Sequence, residues 1–432
     1  MRLSGWGRYP VIEASPLAFA DERALAESLG TQDSIIAYGN GRSYGDSALA
    51  RRYVPVRHRD RMLSFNPGTG LLTCEAGVLL SEIVETFLPR GWFLKVTPGT
   101  KLITVGGAVA ADVHGKNHHV AGCFGDTVKS LKLMVSDGRI LQCSRVENSD
   151  LFRATCGGMG LTGIILEVSF YLQPVRSAVI EQGTVKTTAL EETLAAFEKY
   201  ADWPYSVAWI DSLAPERDMG RSLLMVGKFA EIGELDYEPA KTCTVPVDFP
   251  GFALNQYSVR AFNALYYGRA RSRISVSLTN VDAFFYPLDA IQCWNRIYGR
   301  RGFVQYQFIL PKKYSHAGLG EVLRKTAKSG MASFLSVLKL HGPANDNYLS
   351  FPMRGYSLAL DFKMQPGLFD FLVRLDDIVV KYEGRIYLAK DARVDRKTFE
   401  LGYPRLQDFR ALRESLNLRE KFESMQSERL GL

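Results

Sequence analysis

The chain is poor in cysteine, has no long apolar run and carries no internal repeat. Six cysteines in 432 residues (Cys74, Cys123, Cys143, Cys156, Cys243 and Cys293) are scattered with neither a CxxC pair nor framework spacing. That excludes a disulfide scaffold and a zinc knuckle, and makes a reducing compartment the simplest home. No window approaches the roughly 18 consecutive apolar residues of a spanning helix; the nearest, TVGGAVAADV, is short and made of small residues. The leading MRLSGWGRYPVIEASP lacks the apolar stretch of roughly 7–15 residues and the cleavage site of a signal peptide, so a cytoplasmic, soluble or peripheral protein is expected. Glycine (38) and proline (18) fall far short of low-complexity usage.

What is present is ordinary globular composition: 46% hydrophobic and 23% charged residues, which removes the disordered and fibrous classes. The length predicts two or three domains. A net charge of +7 favours anionic partners without choosing among phosphate ligands and lipid head groups. No helix-turn-helix, RRM or zinc pattern accompanies the charge, so nucleic acid is not a predicted partner.

Pattern changes near residue 177. Before it, short apolar runs bounded by glycine (34–38, 71–75, 130–135, 163–172) read as strands beside two amphipathic stretches, 17–29 and 79–88. Ser136-Asp137-Gly138-Arg139 reads as a hairpin turn. From about Arg176, longer strands (SVAWID, SLLMVGKFA, FVQYQFILP, FLSVLKL, YSLALDF) alternate with helices at 190–200 and 368–382. The pattern predicts an α+β fold with a mainly antiparallel sheet covered by helices. Asp248–Arg273 is the least regular segment and reads as a loop with Arg260, Arg269, Arg271 and Arg273 among aromatic residues.

Three glycine-dense stretches lie in the first half: GNGRSYGD (39–46), PGT (98–100) running on to TVGG (104–107), and GGMGLTG (157–163). Without a Cβ, backbone amides can approach and point at a phosphate. Tight turns are the alternative for any one stretch; the three together point to a large phosphate-bearing cofactor. GNGRSYG is spaced GxGxxxG, and no strand ends in an acidic residue about 20 positions on, which excludes a Rossmann dinucleotide site. His114 and His118 have helical metal-ligand spacing, but Gly115 and the small residues before it oppose a helix and no metal site is predicted.

GNGRSYGD, TPGTKLITVGGAVAADVHGKNHH, GCFGDTV and GGMGLTGII, in this order, resemble the FAD-binding domain of the vanillyl-alcohol-oxidase/PCMH-type flavoprotein superfamily. YSVAWID, FFYPLD, WNRIYG, SFLSVLKLHGP, LSFPMRGYSLALDF and GRIYLAKDAR extend the resemblance to the branch that oxidises decaprenylphosphoryl ribose. The resemblance implies two domains: an FAD domain from 1–177 plus 385–432, and a substrate domain, 178–384, inserted between. It implies FAD contacts from the first loop (Ala37, Tyr38, Gly39, Asn40, Gly41, Arg42, Ser43, Tyr44, Gly45, Asp46 and Ser47). Gly99, Thr104, Val105, Gly106, Gly107, Ala111, Asp112, Val113, His114, Ile164, Ile165 and Tyr387 are implied to join them. Many superfamily members anchor flavin through a histidine in the first loop; Arg42 stands there, so noncovalent FAD is expected.

The same resemblance makes Lys390, in the strand motif IYLAKDAR, the residue that polarises or deprotonates a ribose C2′ hydroxyl, with Tyr44 and His114 beside it. Lys116, Gln305, Gln307, Lys339, Ser357 and Ala359 are the implied substrate-binding residues. Ala359 and Ser357 stand where actinobacterial members carry cysteine and asparagine; neither change removes a base. The implied reaction is the first half of an epimerisation from ribose to arabinose on a polyprenyl phosphate, for cell-wall or glycan synthesis. A separate NAD(P)H-dependent short-chain reductase would complete it. An aldonolactone or alditol oxidase is the same-fold alternative. The Asp248–Arg273 loop suits an anionic membrane surface, which places the protein at the inner face of the cell membrane.

Overall fold

Ile36–Tyr38 (β1) and Arg52–Pro55 (β2) run parallel in a computed structural model that describes residues 1–31 and 34–432, with Ser15–Pro16 paired to the other edge of β2. Parallel neighbours need a crossover of about a dozen residues or more, ordinarily a helix. Here the crossover, 39–51, is the GNGRSYGD loop itself, so it emerges at the carboxyl end of β1.

Leu71–Glu75 (β3), Val128–Met134 (β4), Ile140–Ser144 (β5) and Ile164–Pro174 (β6) form an antiparallel sheet in the order β5-β4-β6-β3, extended by Met62–Asn66. The β4–β5 hairpin turns where the sequence predicts it: Gly138 sits at φ 81° and the Asp137 carboxylate accepts the Arg139 amide at 3.0 Å. The helix Leu80–Phe87 buries Leu80, Ile83, Val84 and Phe87 at helical spacing. Val105–Ala110 (α1) follows the second glycine stretch, capped by Thr104, whose hydroxyl accepts the Gly107 amide.

The second layer is one antiparallel sheet of eight strands. Val179–Thr187 (β7), Tyr205–Ile210 (β8), Ser222–Phe229 (β9), Ile274–Asn280 (β10), Phe303–Pro311 (β11), Ser333–His341 (β12), Gly355–Lys363 (β13) and Arg385–Ile386 (β14) are ordered β10-β7-β9-β8-β12-β13-β11-β14. One face carries Phe308, Leu310, Leu358, Leu360 and Leu338 into a core completed by two helices, Lys312–Ser329 and Leu368–Lys381. The opposite face of β11–β13 carries polar residues. Helices 396–402, 406–415 and 425–430 return to the first layer: Ile35 bridges Phe422, and the buried Arg413 guanidinium donates to the Leu161 and Phe422 carbonyls at 3.0 and 2.6 Å.

Two expectations are corrected. The 248–273 segment is not a loop, because its centre is the helix Gln256–Gly268 (α2). The Asn255 side chain accepts the Tyr257 and Ser258 amides, Ser258 returns a bond to the Asn255 amide, and no proline or glycine interrupts the run before Gly268. Lys390 is not on a strand. Pairing stops at Ile386, and Leu388–Lys390 is a 3₁₀ turn. Among the described residues, no helix is long and apolar enough to cross a membrane.

Candidate active site

The three glycine stretches converge on α1. A Cβ on Gly39 would lie 2.6 Å from the Thr104 hydroxyl oxygen, and the Asn40 amide donates to the Leu102 carbonyl at 2.8 Å. From the third stretch, the Gly157 and Met159 amides donate to the carbonyls of Val109 and Ala110 at 3.0 and 2.8 Å. The first loop is then pinned from two sides. Its Ser43 and Tyr44 carbonyls accept the amides of Trp6 and Gly7, and the Tyr44 amide donates to the Ala389 carbonyl at 3.0 Å. Gly45 is required there: a Cβ would stand 1.7 Å from the Asp391 carbonyl oxygen.

Several predicted cofactor residues hold this cradle rather than face out of it. The Asp46 carboxylate takes three bonds from Arg429, at 2.9, 3.1 and 3.2 Å, and Arg429 also reaches Asp391 at 2.9 Å. Asp112 is fully buried at φ 38°, and its carboxylate accepts the Gly125 amide and the side chains of Asn345, Asn347 and Ser350. Ser47, Val105, Gly106, Val113, Ile164 and Ile165 are buried around them. Ala37, Tyr38, Arg42, Gly99, Gly107 and Ala111 are partly exposed along the cradle, with Arg42 stacked 4.2 Å over Trp6. The Tyr387 hydroxyl donates to the Ala111 carbonyl at 2.9 Å, tying the turn that carries Lys390 to α1.

The eight-stranded sheet supplies the other wall. Strand periodicity puts alternate residues on one face, and the register pairs Gln307 with Ala359, Gln305 with Asp361, and Lys339 with Ser357. All six therefore share the polar face. The Gln307 amide donates to His114 Nε2 at 3.1 Å, which puts the ring proton on Nδ1. That buried nitrogen has no partner among the described residues. Ser357 bonds His341 Nε2 at 2.8 Å. Lys390, at the end of its turn, sets its amine 3.7 Å from the centre of the Tyr44 ring.

Charge here is unusual. Lys339 repels both Lys116 and Lys390 in a poorly solvated space. Burial, then Lys339, draws the Lys116 amine down to about 7, and burial alone draws Lys339 down to about 8. Lys116 is turned to the Phe284 carbonyl and ring, whereas Lys339 has neither hydrogen bond nor ion pair among the described residues. Burial lowers the Lys390 amine too, opposed by Asp361 and assisted by Lys339. Burial raises Tyr44 well above its ordinary value and lowers His114 well below. Tyr44 therefore stays protonated and His114 neutral, with Nε2 already engaged. Of these three, only Lys390 is a free base able to take a proton near neutral pH.

Residues 22–144 match the FAD binding domain family. A decaprenylphosphoryl-beta-D-ribose oxidase of Mycolicibacterium smegmatis is 36% identical over all of this chain and 97% of its own length. The chain belongs to the decaprenylphosphoryl-beta-D-ribose oxidase family. It is an FAD-dependent oxidoreductase of the α+β, PCMH-type architecture. An uncharacterized Streptomyces coelicolor protein encoded in the mprA 5′ region is 31% identical over 82% of the chain, at full length. Mouse L-gulonolactone oxidase, 28% identical, covers only 39% of each chain.

The cradle fits FAD on its own features. The loop amides stand at a strand's carboxyl end, the glycines exclude Cβ atoms where the stretches meet, and the unpartnered His114 Nδ1 needs an acceptor. Sequence reasoning missed Asp361, Tyr298 and His341. Asp361 had a signal: in SLALD it falls two positions after Ala359, on the same strand face.

Proposed function

We propose that this oxidoreductase converts the C2′ hydroxyl of a polyprenylphosphoryl-β-D-ribose to the 2′-keto form, using noncovalent FAD. The observation that carries the proposal is the set of three half-buried, poorly solvated amines beside the glycine cradle, of which Lys339 has no partner among the described residues. Such a set recognises an anion, and a phosphate has the charge to draw Lys339 and Lys116 to their protonated forms, leaving Lys390 as the base. The named activity of the full-length M. smegmatis relative supports the same substrate class. The lactone oxidases match less than two fifths of the chain.

FAD, when bound, accepts the hydride from the carbinol carbon. The chain's residues do the rest: Lys390 takes the hydroxyl proton, Tyr44 and Gln305 fix the amine's approach, and Lys339 and Lys116 hold the phosphate. Gln307 orients His114 so that its buried Nδ1–H is left as a donor without a protein acceptor among the described residues. The first loop holds neither histidine nor cysteine, and Arg42 is occupied by Trp6, which supports noncovalent attachment. A 2′-ketone must be reduced to complete an epimerisation, and an NAD(P)H-dependent short-chain reductase is the partner of that chemistry; arabinose on the same lipid, for cell-wall or glycan synthesis, would be the product.

Anaerobic titration tests this directly. The oxidised-flavin absorbance should bleach with polyprenylphosphoryl ribose and stay unchanged with free alditols or aldonolactones. Bleaching by the small sugars alone would move the protein to the lactone-oxidase reading.

A lipid substrate calls for peripheral contact with a membrane, at the cytoplasmic face on the sequence reading. Phe252, Tyr257 and Leu265 are exposed on and before α2, and Ile274, Val276 and Leu278 are exposed along the edge strand β10. Arg260, Arg269, Arg271 and Arg273 lie exposed among them, with Arg273 paired to Glu192. Apolar anchors within a cationic fringe suit an anionic bilayer. Sedimentation with vesicles containing phosphatidylglycerol should fall about tenfold for the double variant Phe252→Asp/Leu265→Asp, with flavin content unchanged; equal sedimentation would remove this surface from the proposal.

A further inference from the structure

Asp361 lies fully buried on β13, and the reaction outlined above gives it no part. We propose that Asp361 is a positioning residue for Lys390: its carboxylate, held behind Tyr44 by Gln305 and Tyr298, sets how readily the lysine amine takes up and releases the hydroxyl proton. The inference rests on the reading of Lys390 as the base.

The geometry carries it. One Asp361 oxygen accepts the Gln305 amide at 2.5 Å and the other accepts the Tyr298 hydroxyl at 3.2 Å. Phe303 wedges between the aromatic residues in front, stacked on Tyr298 at 4.2 Å and edge-on to Tyr44 at 5.4 Å. Gln305 is also a hydrogen-bonding neighbour of the Tyr44 side chain, over which the Lys390 amine sits at 3.7 Å. Asp361 thus stands at the far end of a short, rigid path from the amine.

Its partners set it apart from the other buried acids except Asp112, which likewise has only neutral donors among the described residues. Asp376 is equally enclosed but takes both of its oxygens to Arg393, and Asp211 is paired with Arg221. Asp361 has no ion pair among the described residues, only neutral donors. A carboxylate in that state is costly unless a cation lies near. The groups facing it are Gln305 from β11, Tyr298 from the 294–298 turn, Tyr44 from the first loop and Lys390 from the turn after β14; Lys390 is the cation among them. Facing Lys390 in turn are Asp361, Lys339, His114 and Tyr44, so Asp361 is the one acid that favours its charged form. Burial raises the Asp361 carboxyl as it lowers the amine, which keeps both groups near the point where a proton can move.

Competitive acetylation of the flavin-loaded protein with acetic anhydride, read by peptide mass spectrometry, gives the midpoint pH at which Lys390 becomes reactive. Asp361→Asn should lower that midpoint by about one pH unit. Tyr298→Phe should lower it by less, because an Asp361 with one donor removed holds its proton more tightly. Asp361→Glu should restore the wild-type midpoint to within a few tenths of a unit. An unchanged midpoint in Asp361→Asn with flavin retained would overturn the inference. Should that variant lose flavin, an unchanged midpoint in Tyr298→Phe would overturn it equally. The labelling needs no substrate, so failure of the ribose titration and failure of this inference are separate outcomes.

Discussion

Lys390→Ala should retain FAD and lose substrate-driven flavin reduction by about 10²–10⁴-fold, the usual contribution of a positioned general base. Retention is expected because the glycine cradle is held by Thr104, Arg429 and the Gly45–Asp391 contact rather than by the Lys390 side chain. Loss is expected because the alternatives are closed. Tyr44 stays protonated, and His114 is neutral with its basic nitrogen bonded to Gln307. The sign of the pH dependence follows: Lys390 must be neutral to accept the proton, so the wild-type rate should rise with pH through the amine's lowered value and level off above it. In the alanine variant that rise should vanish. Stopped-flow reduction across pH 6–9 measures both, and wild-type rates in the variant would mean that the proton leaves by another group.

The second large effect concerns the far end of the chain. Arg429→Met should destabilise the protein by about 3–5 kcal/mol at pH 8, because it strands two buried carboxylates, Asp46 and Asp391, without a cation. Burial already raises Asp46 above its ordinary value against the pull of Arg429. A carboxyl whose folded value lies above its unfolded value contributes stability that is complete below the unfolded value, about 3.9, and is lost as pH rises through the folded one. Removing Arg429 pushes the folded value higher still. The variant should therefore recover stability relative to wild type between pH 8 and pH 5. Thermal denaturation at both pH values, with flavin release monitored alongside, checks the sign; an equal deficit at pH 5 and 8 would show that Arg429 acts through packing alone.

Much of this was legible in the residues. The long strands after 176 announced themselves by their apolar runs, with β11–β13 alternating between an apolar core face and the site face, and the glycine stretches by their local backbone demands. Asp361 was less visible: in the apolar run LALDF it looks like a strand end, and only the register that sets Gln305 opposite reveals its place. The helix α2 hid behind its aromatic residues, which favour neither helix nor loop, although Asn255 and Ser258 already spelled its cap. The Arg429 link to Asp46 spans 383 positions, and no local pattern encodes a contact of that reach.

That same span has a consequence for synthesis. At roughly 5–20 residues per second, a ribosome takes on the order of 20–80 s to travel from the GNGRSYGD loop to the arginine that clasps it. For that interval β1 and its loop are complete in sequence yet lack Ala389, Asp391 and Arg429, the groups that fix the loop's shape. Completion of the cofactor cradle is thereby a late event in the life of each new chain.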